Sequence, residues 1–412
     1  MSKTITQDNP PFLASLFSAL HNASFSRAEQ INLEPEKEYI LISVIKDGVS
    51  IPLQRQDKNL HKNISSYIRK AAGIEKSIKK ERQTGWIGTN ALFKKPVRVT
   101  TIPTFYGEKI LLNPIHDYDP SLTLDTIGMQ LGTQYTVRKH LKNLRGLILI
   151  IGEDPRALKD TFYAMAQNIN NQHHNITMLE DVIDQNIAFA NQIETAHINL
   201  SKSQMIEKLR EQDTDVIFVE NIHKRKTLEA ATQAALEGHL VVGTLHAENV
   251  LDAIHKLKDM SLDDRVTSNV LELIIEQKTL PGVHPFAAEP KIMSRDDRKK
   301  LKRLIKPYEL LNIIRKETGA DIASLNDVAF YQESDWNILR LPVKPTYIFG
   351  LTEFDNTAKA IFATGTNGHE LSKITARQPF VSISEDAFLK ALQGLTTLET
   401  IFQTLDKKEK TS

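Results

Sequence analysis

Residues 146–165 read GLILIIGEDPRALKDTFYAM: an apolar run, a glycine, then a stretch with helical spacing. Strand, turn and helix N-terminus in that order is the layout of a loop that wraps phosphate. Such a loop works through three groups. Glycines let backbone N–H groups approach the phosphates, a lysine adds a charge-assisted contact, and a Ser or Thr hydroxyl holds magnesium. The spacing that does this, G-x-x-x-x-G-K-[ST], is absent here. Gly152 is followed by Glu153, Asp154 and Pro155, and proline fixes φ and has no N–H to give.

The elements around this stretch suit an α/β fold. LILII, NITML, DVIFV and HLVVGTL are short, continuously apolar runs separated by helical stretches, as in strands buried on both faces of a parallel sheet. Upstream, EYILISVIKDGVSIPLQ places two β-rich runs around Asp47-Gly48, a hairpin signal. LHKNISSYIRKAAG follows with helical spacing, and PVRVTTIPTFYGEKILLNPI reads as a second hairpin. The expected organisation is a leader with a short helix at 11–22 (1–24), a small α/β domain (25–116), a linker with one helix (117–140), a doubly wound core (141–281) and a charged extension of helices and a short strand (282–412).

At 412 residues the chain can hold two or three domains. A net charge of +1 gives no field that suggests nucleic acid. With no cysteine, disulfides and thiolate metal sites are excluded, and no metal is expected. No stretch reaches the ~18 apolar residues that span a bilayer, and the N-terminus lacks a signal-peptide core. The expectation is a cytoplasmic protein, with peripheral attachment to a membrane machine left open. The basic runs at 76–82 and 295–306 mix charge signs without interleaved aromatics and read as solvated helix faces.

Five stretches, in order, resemble the assembly ATPases of type II secretion and type IV pili. FSRAEQINLEP (25–35) looks like the family's A-S-D-I-H-I-E-P, and YIRKAAGIEKSIKKERQTGWI (67–87) is similar to its R-I-K-x-x-A-G-L-D-I-A-E-K-R-x-P-Q-D-G-R-I. VRVTTIPTFYGEKILL (97–112) resembles V-R-V-S-T-L-P-T-x-x-G-E-K-V-V-L. The stretch 214–260, with GHLVVGTLH inside it, resembles the Walker-B and G-H-L-V-x-S-T-L-H blocks, and FLKALQGLTTLETIF (388–402) the closing G-x-T-T-x-E-E-V. The resemblance implies a PAS-like N-terminal domain and a RecA-like domain of P-loop NTPase fold with a helical C-terminal extension. It also implies ATP hydrolysis with magnesium, hexamers, and docking on an inner-membrane platform protein.

On the family pattern G-P-T-G-S-G-K-T, Gly152 keeps the first glycine and Thr161 part of the helix, but Leu158 stands at the lysine and Lys159 at the threonine. Asn221 stands at the Walker-B glutamate; Glu220 beside it is expected on the opposite strand face. Glu180, Asp181 and Asp184 keep carboxylates of the acidic box, and His239 and His246 are both present. Of the arginines that reach a neighbour's nucleotide, one aligns with Lys80, one with Trp86, and one is kept as Arg98. Losing two or three charged contacts weakens nucleotide binding by roughly a thousandfold or more. Loss of a general base costs about 10²–10⁴ in rate. The resulting expectation is a pseudo-ATPase with no catalytic residue and no cofactor, structural or regulatory, in a homo-hexamer or joined to an active paralogue. A divergent motor that binds ATP and magnesium through Lys159 and the acidic box, and a scaffold without a secretion role, are the alternatives.

Overall fold

The computed structural model describes residues 30–46, 49–74, 81–89, 95–169, 174–195, 199–261, 263–284, 288–319, 321–333, 344–365, 368–375 and 382–405. The helix expected near 11–22, the Asp47-Gly48 turn, most of the basic run at 76–82 and Lys80 lie outside them. The chain divides into two units: residues 1–118 with 183–188, and 119–182 with 189–412.

The first unit is a six-stranded antiparallel sheet in the order Val49–Asp57, Tyr39–Lys46, Gln30–Pro35, Gly107–Pro114, Val97–Thr104, Gln83–Ile87. Alternation writes the sheet: Ile31, Leu33, Ile40, Ile42, Val97, Val99, Ile110 and Leu112 all point inward, under Ile64 and Ile68 of helix His61–Ala71. Arg69 on that helix is 1% exposed, and it is tolerated because its guanidinium donates to Glu108, Gln83 and Thr101.

The second unit holds a seven-stranded sheet in the order Asn191–Glu194, Ile176–Glu180, Val216–Val219, Leu240–His246, Gly146–Gly152, Leu271–Leu280, Thr346–Glu353. The first six run parallel and the last antiparallel. Strands 146–152, 176–180 and 216–219 are buried along their whole length, which is why they read as unbroken apolar runs. Leu271–Leu280 escaped that reading because Glu272, Glu276, Gln277 and Lys278 interrupt it. Thr346–Glu353 comes from the charged extension and still completes the sheet.

A buried ion pair ties helix Ile383–Leu392 to this last strand. Asp386 and Lys390, one turn apart and each 1% exposed, lie 3.2 Å from each other. Asp386 accepts from the Phe349 N–H at 2.7 Å and from Gln130 Nε2 at 3.0 Å, and Lys390 donates to the Tyr347 carbonyl. Each member of the pair is thus bonded to the backbone of strand 346–353, and Asp386 also to Gln130. Removing one partner strands the other in an apolar interior. Asp386→Ala is expected to cost about 3–5 kcal/mol, read as a lower urea midpoint with an unchanged slope.

Candidate functional site

The strand–helix junction at Gly152 lies at the C-terminal edge of the parallel strands, where open α/β sheets take their ligands. The loop here has two residues, Glu153 and Asp154, before helix Pro155–Ile169 begins. Asp154 is a helix-capping residue followed by proline at the first helical position, a sequence signal for an early helix start. Its Oδ1 accepts from the N–H groups of Arg156 at 3.1 Å and Ala157 at 3.4 Å, and its carbonyl from Leu158 at 3.1 Å. Pro155 has no N–H. The first turn therefore has each of its donors committed to Asp154, whose Oδ2 is itself held by Thr279 at 3.0 Å.

Gly152 is kept for packing. A Cβ on it would lie 2.5 Å from the Gln277 carbonyl oxygen and 3.0 Å from the Leu158 side chain. Leu158 is a buried wedge beneath the loop. Thr161 is fully buried and donates to Gln277 Oε1 at 2.7 Å, and Gln277 in turn donates to the Ala157 carbonyl at 3.0 Å.

Lys159 turns away from the loop into a cluster of charge. Its Nζ lies 3.3 Å from Glu180 and 3.5 Å from Glu220, and donates to the Val182 carbonyl. Glu180 has no exposed surface. It also accepts from the Tyr163 hydroxyl and from Gln192 Nε2 at 2.8 Å. Burial pushes its carboxyl above the usual range against the pull of Lys159 and these donors. Asp181 lies lower than usual: burial raises it, but the Lys202 hydrogen bond and charge, with Asn221 and Thr195, outweigh that.

The expectation that Glu220 faces away from residue 221 is corrected. The strand ends at Val219, and Asn221 has φ 58°, so alternation has lapsed. Glu220 accepts from the Asp181 N–H at 2.8 Å, while Asn221 Nδ2 donates to Asp181 at 3.4 Å. His246 pairs in register with Gly152 and is exposed at the same edge. His239 is at the other end of the strand that follows it, about 20 Å away at ~3.3 Å per residue, where its Nδ1 bonds the Thr214 carbonyl at 2.7 Å. Arg98 and Asp184 belong to the first unit; Arg98 lies opposite Trp86 in the sheet, and its Nε has no hydrogen-bond partner among the described residues. Sequence reasoning missed Asp154, Gln277 and Lys202. Only Asp154 carried a signal, the Asp-Pro cap.

These features define the class: a chain with one sheet unit and, separately, an α/β domain of P-loop NTPase type. The chain belongs to the type II/IV secretion system protein family, whose pattern matches residues 6–403. It is 26% identical over 296 residues to type II secretion system protein E of Aeromonas hydrophila, covering 71% of this chain and 58% of that protein. Against type II secretion system ATPase E of Vibrio cholerae it is 26% identical over 404 residues, covering 97% and 76%. The chain thus spans less than two thirds of the length of some of these relatives. In fold it is similar to the pilus retraction motor PilT with bound ADP (TM-score 0.68, 18% identity, 94% and 96% coverage). The Legionella pneumophila ATPase DotB gives a TM-score of 0.65 at 16% identity, covering 96% and 97%.

Asp160, on the same helix as Lys159, supplies a prediction. Burial raises its carboxyl; a 2.6 Å hydrogen bond from the Tyr347 hydroxyl lowers it, and the charge of Asp154 raises it again. The folded state therefore holds this proton more tightly than the unfolded chain, so stability falls as pH rises through the window above ~4. Asp160→Asn keeps the acceptor and removes the charge. The variant's melting temperature is expected to match wild type at low pH, where Asp160 is protonated in both states, and to exceed it above pH ~4, the gap levelling off once the folded carboxyl is ionised.

Proposed function

We propose that this chain is a nucleotide-independent member of its family, a structural or regulatory subunit of a type II secretion or type IV pilus machine. It works at the cytoplasmic side of the inner membrane, docks on the platform protein, and assembles as a homo-hexamer or with an active paralogue. No helix among the described residues is long and apolar enough to cross a membrane, which fits peripheral attachment. The observation that carries the reading is the first turn of helix 155–169. Its N–H groups, the donors that a phosphate would need, are committed to Asp154.

The other groups support it. Leu158 offers no charge where the lysine belongs, Thr161 is hydrogen-bonded to Gln277, and Asn221 cannot serve as a carboxylate base. Lys159, which a divergent motor would need, is 8% exposed and held by two carboxylates. The residues present do not match a magnesium nucleotide.

Calorimetric titration of the whole chain with ATP and magnesium to millimolar concentration tests this. No saturable heat is the expected result. Saturable micromolar binding would overturn the reading and make this junction an unconventional phosphate site.

A further inference from the structure

We propose that the ammonium groups of Lys159 and Lys202 stand in for a divalent cation at the ligand-binding edge of the sheet. The chain then holds that edge closed with its own charges. The inference rests on the nucleotide-independent reading above and says what has taken the ligand's place.

Three carboxylates gather there. Glu180 closes strand 176–180, Asp181 follows it, and Glu220 follows the parallel neighbour 216–219. The Asp181 N–H donates to Glu220, so the two strand ends are joined directly. Glu180 is fully buried and Glu220 largely so, while Asp181 is about half exposed; carboxylates this close repel one another and favour positive charge among them, most strongly at the buried Glu180. In P-loop NTPases in general, magnesium lies beside a strand-end carboxylate. Here two lysines supply the positive charge from two different helices.

The donor sets are alike. Lys159 meets Glu180, Glu220 and the Val182 carbonyl. Lys202, the first residue of helix Lys202–Arg210, meets Asp181 at 2.6 Å and the Glu220 carbonyl. Each ammonium meets carboxylate and main-chain oxygens, the donor type that a hard cation takes, and Lys159 also lies over the Tyr163 ring. Each side chain is also more than nine-tenths buried. Among the described residues no group of three or more acidic or histidine side chains is arranged to hold a metal. The network joins helices 155–169 and 202–210 to two strand ends without any ligand.

The test uses the full chain as wild type, Lys159→Met, Lys202→Met and the pair Lys159→Met with Glu180→Gln. Thermal unfolding is followed with and without millimolar magnesium, and Mn²⁺ binding by electron paramagnetic resonance. Wild type is expected to bind no Mn²⁺ beyond the weak background of surface carboxylates, and magnesium leaves its melting temperature unmoved. Lys159→Met, which strands the fully buried Glu180, should melt about 5 °C or more lower, and Lys202→Met, whose partner Asp181 is about half exposed, lower by less. Each should gain saturable Mn²⁺ binding and recover part of the loss with magnesium.

The neutral pair should regain stability without metal. It also keeps the idea testable if Lys159→Met alone fails to fold. Unchanged melting temperatures, or destabilised variants that gain no metal affinity, would overturn the proposal. So would Mn²⁺ binding by wild type that is lost on Glu220→Gln. Failure of the two readings is separable. ATP binding by wild type removes the nucleotide-independent reading. Inert lysine variants in a chain that binds no ATP remove this one alone.

Discussion

The carboxylate of Asp154, folded onto the first turn of helix 155–169, is the contact on which the rest of this domain's ligand edge depends. An anion at a helix N-terminus is favoured by the exposed N–H groups and by the helix dipole, whether it arrives as a ligand or is carried by the chain. Once the chain carries it, the helix can begin at Pro155, and the connection from the strand shrinks to two residues. Everything nearby follows from the short connection. Leu158 swings under Gly152, the Gln277 backbone closes against that glycine, and the next residue along, Lys159, is carried round to the side of the acidic strand ends.

Two kinds of charge are therefore handled locally. The negative group sits at the helix end and the positive groups sit among the carboxylates, the reverse of an arrangement in which the protein supplies cations to an anionic guest. Charges buried this way gain little over an apolar core of the same shape, since desolvation offsets most of the attraction. Their value is in fixing geometry. Asp181 takes hydrogen bonds from Lys202, Asn221 and Thr195, so one carboxylate gathers side chains from three separate segments.

Much of this was legible in the sequence, and the limits have physical causes. The four apolar runs announced the central parallel strands because strands buried on both faces cannot alternate. The two hairpins of the first unit were equally plain from period-two patterning. Leu158 and Asn221 stood out as wrong residue types at their positions. Lys159 was assigned no partner, because an ion cluster joins residues 159, 180, 181, 202 and 220, which no local pattern connects. Glu220 was misplaced for a different reason: the alternation rule holds only while the backbone stays extended, and Asn221 breaks it with a left-handed φ. A short strand was expected in the charged extension, but not its pairing with 271–280, since the two strands are separated by more than sixty residues of sequence and no local pattern joins them.

That last strand sets an order of events during synthesis. The chain from Gly146 to Leu280 can form six parallel strands, yet Leu271–Leu280 then has one side of its backbone unpaired. It stays so until Thr346–Glu353 leaves the ribosome, several seconds later at about 5–20 residues per second. An open edge of that length invites pairing with another chain. The charged residues Glu272, Glu276 and Lys278, which made this strand hard to recognise, are the kind that discourage such pairing. Their cost in legibility is matched by protection of a nascent sheet that waits for its last member.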